Sequence, residues 1–225
     1  MRLYDRLLAE TRPQKDAFLC LPLIREATAK GVSRGLYLAY LAEAYHHVKE
    51  TCPLLGRALS RCGDGDTVLR EALIDYIAEE RGHEAWILDD IDALGGSSAK
   101  VLADGPSPAV EVLVAYVAHA IDSHGPHAML GMVHVLEGLS VDLAEIAAGS
   151  IARTLAVDPS KGGFRYLTSH GAVDQAHVRF FADLLDKVDR REDQNRIIHT
   201  AAIVYGLFGA IFQGLAQRTE VGHAA

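Results

Sequence analysis

Cysteine is scarce in this sequence, and the few cysteines lack the spacing of a functional motif. The 225 residues include three, Cys20, Cys52 and Cys62, with no CxxC pair among them. An odd number without paired spacing argues against a disulfide scaffold and favours a reduced compartment. The first residues also lack the apolar core of a signal peptide, so we expect a cytoplasmic protein.

Positive charge is in short supply as well. The formal net charge is −8, and the lysines and arginines are scattered. A basic patch of the kind that binds nucleic acid or an anionic membrane is therefore missing. The most apolar stretch, residues 197–215, still contains His199, Thr200, Tyr205 and Gln213. Because a membrane span needs about 20 strongly apolar residues, we predict a buried helix there instead.

Strand-like alternation and internal repeats are also missing, whereas apolar residues recur with helical spacing almost throughout. The sequence therefore predicts an all-α fold. Short helices are expected near residues 3–10 and 15–30, and others at about 33–50, 53–62, 66–94, 108–122, 126–156, 170–188 and 192–217. The loop at 95–107 is too short to separate two domains. We expect one compact domain over residues 1–225, a bundle of seven to eight helices with a short mobile tail at about 219–225.

Two residues with metal-ligand chemistry lie on the inward face of the helix that Asp66 is predicted to cap. This face includes Tyr76 and continues with Glu80 and His83. Steps of three and four residues place these side chains on one side of a helix. An i, i+3 spacing lets a carboxylate and an imidazole reach one metal ion. Since ExxH pairs are common by chance, the alternative is a helix end with exposed charges.

Glu137 is the one charged residue on the apolar face of the helix predicted at 126–156. Leu130, Val133 and Val141 share its stripe. Burying an unpaired carboxylate is costly, so such a residue normally has a metal, a cation or a hydrogen-bond partner. A salt bridge to a lysine or arginine of a neighbouring helix is the alternative to metal binding.

His170, Asp174 and His177 form the clearest ligand pattern in the chain. Their i, i+4, i+7 spacing puts three ligand-type side chains on one stripe, which continues as apolar residues and should face the core. The cap of this helix is predicted just before the stripe, at Thr168 or Ser169.

Together these residues supply three carboxylates and three histidines. Imidazole with carboxylate suits iron, manganese or zinc, and the absence of cysteine ligands argues against a structural zinc site. Bridging carboxylates with flanking histidines suit two iron ions, although an iron–manganese pair or a single metal would use the same donors. A ferritin-type site needs two ExxH motifs on different helices, and the ligand set predicted here includes one, with the stripe of His170, Asp174 and His177 as its other half.

Four further residues are candidates for the surroundings of the site. His47 lies on the inward face of its helix and is a candidate seventh ligand, with a satisfied core histidine as the alternative. His134, one turn before Glu137, is predicted to orient that carboxylate. Tyr76 and Tyr205 are predicted to line the pocket, with simple core packing as the alternative.

Several segments together resemble the heme-oxygenase-like superfamily. They are the run YHHVKET at 45–51, EERGHE at 79–84, the inward Glu137 and the HxxxDxxH stripe. The chain is most similar to the TenA- and PqqC-related group and its metal-dependent diiron oxidase branch, over about residues 15–215. The resemblance implies a bundle of about seven helices and a non-heme diiron centre that activates dioxygen. It also implies the ligands Glu80, His83, Glu137, His170, Asp174 and His177.

This chain departs from the patterns of the families that it resembles. Members of the diiron branch often carry a carboxylate on the first core helix, where this sequence has His46 and His47. The thiaminase branch uses a cysteine from the middle core helix, and residues 126–156 contain none. Heme oxygenases bind heme through a histidine near the N-terminus, whereas the first histidine here is His46. Thiamine hydrolysis and heme binding are therefore disfavoured.

The leading hypothesis is an iron-dependent oxidase or oxygenase that acts on a small organic metabolite with dioxygen. One alternative is a metal-free oxidase resembling the quinone-cofactor synthase branch, and another is a non-enzymatic metal- or ligand-binding protein. The expected partners are the small molecule and dioxygen, with no nucleic acid and no membrane. The resemblance also implies a homodimer.

Overall fold

The computed structural model describes the backbone of residues 1–223 and the side chains of residues 1–169 and 178–218. The described backbone forms eleven α-helices and no strand, which confirms the all-α class. The helices are α1 (Leu3–Leu19), α2 (Pro22–Ala29), α3 (Arg34–Val48), α4 (Thr51–Ser60), α5 (Thr67–Glu80), α6 (His83–Ala93), α7 (Ser98–Ala103), α8 (Pro108–His124), α9 (Met129–Leu155), α10 (Arg165–Leu185) and α11 (Arg191–His223), with 3-10 turns at Pro126–Ala128 and Pro159–Lys161.

Helices α9 and α11 form the centre of the bundle. Helix α9 contacts α10, α11 and α2, and α11 also contacts α8 and α1. Gly131 permits the close approach of α9 and α11, because a Cβ there would lie 2.7 Å from backbone atoms of Ile197 and Ala201. Helix α10 packs against α9, α6 and α5. The four helices that carry the predicted ligands are therefore neighbours.

Serine residues cap several helices. At the start of α3, Ser33 accepts a hydrogen bond from the Leu36 amide at 3.3 Å, as predicted. Ser97 caps α7, a short helix inside the region predicted to be a loop. Ser107 accepts from the Val110 amide at the start of α8. A side-chain oxygen at this position satisfies an amide that has no partner within the helix.

The helix predicted from residue 66 to 94 is wrong, because the structure contains two helices there. Gly82 adopts a φ of +95°, a left-handed conformation that glycine enters readily and that interrupts the helix. Glu80 is therefore the last residue of α5 and His83 the first of α6. Asp66 does not cap α5 with its side chain, since its Oδ2 accepts from the Gly63 amide at 2.8 Å. This break and the unpredicted helix α7 contribute to the eleven described helices, more than the predicted seven to eight.

The predicted cap of α10 at Thr168 or Ser169 is also wrong, because the helix already begins at Arg165. Both hydroxyls donate to carbonyls near the start of the helix. Thr168 donates to Phe164 at 2.9 Å, and Ser169 donates to Tyr166 at 3.1 Å. This back-bonding is the usual alternative for serine and threonine within a helix.

The first amides of α10 are satisfied by a residue of another helix. Asp90 of α6 is 1% exposed and accepts hydrogen bonds from the amides of Arg165 and Tyr166, at 3.0 Å and 2.8 Å. A carboxylate at a helix N-terminus also interacts favourably with the helix dipole. Asp90 thus joins the start of α10 to the helix that begins with His83.

Helix α11 explains the apolar stretch near the C-terminus. Its segment Arg191–Arg218 is long and apolar enough to cross a membrane, but 56% of its most apolar window is buried within the protein. A core helix passes the same test of length and composition, in line with the buried helix predicted over 197–215. The predicted tail at 219–225 falls on residues whose side chains lie outside the described part of the chain.

Candidate functional site

A cavity of about 180 Å³ lies inside the bundle, among α1 to α6 and α9 to α11. Most of its wall consists of aliphatic and aromatic side chains. Five of the predicted site residues border it, namely His47, Tyr76, Glu80, His83 and Glu137. An apolar cavity with a few converging polar groups is the usual form of a small-molecule site.

Glu80 and His83 meet across the break between α5 and α6. His83 Nδ1 lies 3.1 Å from Glu80 Oε2, and both side chains are largely buried. An ionised carboxylate only accepts hydrogen bonds, so this contact places a proton on Nδ1. A neutral His83 then carries its lone pair on Nε2, the nitrogen that would bind a metal.

The His83 ring packs on Trp86, with ring centroids 4.1 Å apart. The Arg165 guanidinium lies 4.4 Å from the centroid of the same Trp86 ring. A cation over a tryptophan face is attracted by the ring, by about 0.5–1 kcal/mol at exposed sites. Since Arg165 is the first residue of α10, this stack and the Asp90 contacts both hold α10 against α6.

Glu137 and Tyr76 face the same cavity from α9 and α5. Burial raises the pKa of Tyr76, and the nearby Glu137 carboxylate raises it further. The Tyr76 side chain is 2% exposed, and its hydroxyl has no hydrogen-bond partner among the described residues. Its ring packs edge-on against Phe180 at 5.6 Å. Tyr76 therefore places an unsatisfied phenol beside the carboxylate, as its predicted pocket role requires.

His47 borders the cavity from α3. Its side chain is buried against Phe208, and its Nδ1 has no hydrogen-bond partner among the described side chains. Burial lowers the pKa of His47 to about 4, so the ring is neutral near pH 7. A neutral imidazole is the form that binds metals.

His170, Asp174 and His177 lie outside the residues whose side chains are described, so their assignment as ligands stays a prediction. Their helix, α10, packs against the helices of Glu80, His83 and Glu137. Residues on either side of the undescribed stretch reach the same region. Tyr166 borders the cavity, and Phe180 packs on Tyr76.

His134 and Tyr205 pack against each other beside the cavity and are not part of its described wall. The His134 ring lies 6.1 Å from those of Tyr205 and Phe181, and its Nε2 is 3.5 Å from the Thr11 hydroxyl. None of these contacts involves Glu137, so the role of His134 in orienting that carboxylate stays a prediction.

A tyrosine cluster on the wall was not found from the sequence. The buried hydroxyls of Tyr40 and Tyr166 share a hydrogen bond, and burial raises the pKa of Tyr40 to about 12. Tyr37 stacks on Tyr40 and donates to the Gly163 carbonyl at 3.0 Å. The inward positions of Tyr37 and Tyr40 on α3 were the available signal, but their partners are remote in sequence.

Comparison with known protein families identifies the chain. The model of a heme-oxygenase-like family described as iron-containing redox enzyme matches residues 38–208. The chain belongs to this family. Membership of this family supports a redox enzyme and indicates iron, in agreement with the predicted class of oxidoreductase. No curated protein sequence matches the chain.

Solved structures confirm the heme-oxygenase-like fold that the resemblance implied. A domain of unknown function with this fold from Shewanella denitrificans OS217 has 22% identity and a TM-score of 0.88, covering 98% of this chain and 94% of that chain. A TenA homologue from Pseudomonas syringae pv. tomato DC3000 has 14% identity and a TM-score of 0.80, covering 96% and 93%. A heme oxygenase from Leptospira interrogans has 19% identity and a TM-score of 0.74, covering 94% and 98%.

The carboxylate and imidazole donors on the cavity wall are of a kind that suits iron. Within residues 1–169 and 178–218, no three His, Cys, Asp or Glu residues lie close enough to hold a metal by themselves. Iron held at the cavity wall would therefore need further donors, and the sequence of α10 carries three residues of suitable type. Two buried polar atoms on the wall, His47 Nδ1 and the Tyr76 hydroxyl, have no partner within those ranges. Because buried polar groups are normally paired, they point to a ligand in the cavity.

Proposed function

We propose that this protein is a non-heme iron oxidase or oxygenase that uses dioxygen to oxidise a small organic metabolite. The observation that carries the proposal is the convergence of Glu80, His83 and Glu137 on one apolar cavity, in a chain of an iron-containing redox family. Bound iron would supply the ability to reduce dioxygen and oxidise the substrate, which side chains alone do not have.

The proposed ligands of two iron ions come from four neighbouring helices. Glu80 and His83 come from α5 and α6, Glu137 from α9, and the remaining three from α10. His47 is proposed as a further donor from α3, which packs against α6. The complete proposed set is Glu80, His83, Glu137, His170, Asp174 and His177, with His47 as the seventh member.

Other residues of the chain orient these donors and keep water out. Glu80 accepts a hydrogen bond from His83 Nδ1, which directs Nε2 away from Glu80. The Tyr76 hydroxyl lies near Glu137 and is placed to donate a hydrogen bond to a group in the cavity. The apolar wall excludes water, and in such surroundings electrostatic interactions are stronger than in solvent.

Iron stoichiometry tests the proposal. The metal-free protein is reconstituted with ferrous iron without oxygen, desalted and analysed for metal, and its absorbance is then followed on exposure to air. We expect about two irons per chain, and H83A and H170A should each lose iron. The exposed His119 provides the control, because H119A should bind iron as the wild type does.

The same experiment separates the alternatives. One iron per chain would reduce the proposal to a mononuclear site, and none would leave the metal-free oxidase or the binding protein. Oxygen consumption with candidate substrates then distinguishes either enzyme from a protein that only binds. The homodimer and the cytoplasmic location remain predictions, which sedimentation and cell fractionation would test.

A further inference from the structure

The cavity extends well beyond the polar residues of the proposed iron site. On α9 its wall runs past Glu137 as far as Ile151. At a rise of about 1.5 Å per residue, these two positions are separated by about 21 Å of helix axis. A metal site with a compact substrate would not need a cavity of this length.

We call the part beyond Glu137 the apolar arm. Its wall includes Leu143, Ala147 and Ile151 of α9, Leu23 and Ala27 of α2, and Phe212 of α11. The described wall of the whole cavity contains no lysine or arginine, and residues 170–177 contain neither in their sequence. The arm therefore offers contact surface for hydrocarbon and no cation for a second charged group.

The arm is space that the core could have filled. Protein interiors are packed to the density of organic crystals, and unfilled apolar volume costs stability. An apolar cavity of about 150 Å³ in another protein already binds benzene. Ala27 of α2 and Ala147 of α9 both line the arm and are half-buried, and the two helices pack against each other. The arm therefore approaches the surface between α2 and α9.

We infer that the apolar arm holds the unbranched hydrocarbon tail of the substrate, whose polar end lies against Glu80, His83 and Glu137. The substrate class is thus an amphiphile with one polar end and a linear aliphatic chain. This inference rests on the proposed function, because the proposed iron site supplies the chemistry at the polar end.

Binding of straight-chain alcohols to the iron-free protein tests the inference without any turnover. The series runs from butanol to dodecanol, and dissociation constants are measured by titration calorimetry. Each methylene that enters the arm should tighten binding by about fourfold, until the arm is full. Cyclohexanol should bind more weakly than hexanol. Affinity that does not change with chain length, or equal affinity for the ring, would overturn the inference.

A substitution inside the arm should shorten the chain that it accepts. Ala147→Phe places a ring in the arm, so the gain in affinity should stop at a shorter alcohol. Ile146→Phe is the matched control, because its side chain is 56% exposed on the same helix and its alcohol series should equal that of the wild type. If Ala147→Phe fails to fold, Ala27→Leu narrows the arm from α2 and should have the same effect.

The outcomes for the two proposals are separate. A protein that takes up iron but shows no dependence on chain length retains the proposed function and loses this inference. A protein that binds longer chains more tightly but takes up no iron retains the arm and loses the proposed iron chemistry. Amine and carboxylate analogues of the best alcohol then report which polar end the site prefers.

Discussion

Replacing Asp90 with alanine tests whether the start of α10 is held by α6. The Asp90 side chain is 1% exposed, and its two oxygens accept the amides of Arg165 and Tyr166. Alanine removes both acceptors and leaves these partly buried amides without their partner. An unsatisfied buried donor loses its hydration without compensation, which is the costly way to break a hydrogen bond.

The expected loss of stability follows from two opposing effects, the hydrogen bonds that Asp90 accepts and the desolvation of its buried carboxylate. Hydrogen bonds to a charged acceptor contribute roughly 1.5–3 kcal/mol each, whereas loss of a helix cap alone costs about 0.5–2 kcal/mol. Burial raises the pKa of Asp90 although the amide bonds lower it, so desolvation of the carboxylate offsets much of the gain. We therefore expect D90A to lower the free energy of unfolding by about 2–3 kcal/mol. For a chain of this length, that corresponds to a fall in Tm of about 4–12 °C.

Thermal unfolding followed by far-UV circular dichroism measures this effect. D90N keeps one acceptor oxygen and should lose roughly half as much stability as D90A. Asp89 is the matched control, because it is the neighbouring carboxylate and is exposed. D89A should melt with the wild type, within about 1 °C. If D90A melts together with D89A, the capping of α10 by Asp90 is refuted as a source of stability.

The remaining predictions concern packing and pH. G131A should lower the free energy of unfolding by about 1–3 kcal/mol in denaturant titrations, because the new Cβ would meet the backbone of α11. G149A, which meets only the flexible end of Arg153, should instead stabilise α9 by up to about 1 kcal/mol, and equal losses in both variants would contradict this reasoning. Burial lowers the pKa of His134 from 6.5 to about 4, so the folded protein favours the neutral ring. The stability from this group is therefore complete above the unfolded pKa of 6.5 and is lost as the pH falls toward 4, by up to about 3 kcal/mol. H134L should flatten this acid limb, and an unchanged limb would exclude His134 as a cause.

Local signals in the sequence predicted the class of fold and several helix starts. The 3.6-residue periodicity indicated the all-α fold, and Ser33 marked the start of α3 because a cap acts on its own helix. The break at Gly82 was missed because good helix formers flank it and the apolar spacing continues across it. The start of α10 was missed because its cap, Asp90, is 75 residues away in the chain.

The candidate site was predicted in part for the same physical reason. Inward phase identified Glu80, His83, Glu137, His47 and Tyr76, and all five border the cavity. Helical phase gives the direction of a side chain but not its partner, so the contacts of His134 with Phe181 and Tyr205 could not be predicted from the sequence. The shape of the cavity depends on residues from nine helices, so the apolar arm has no signature in any one segment.

Backbone torsions, rather than helix geometry, determine the separation between Glu80 and His83. Within one helix an i, i+3 pair has a single reach, but these two residues are joined through an extended Arg81 and Gly82 at a φ of +95°. Substituting either intervening residue would change the distance and relative direction of both donors without replacing them. The distance and angle between the two donors therefore depend on the backbone at Arg81 and Gly82. Related chains that keep ExxH but differ at the glycine would hold the same two donors at a different distance and angle.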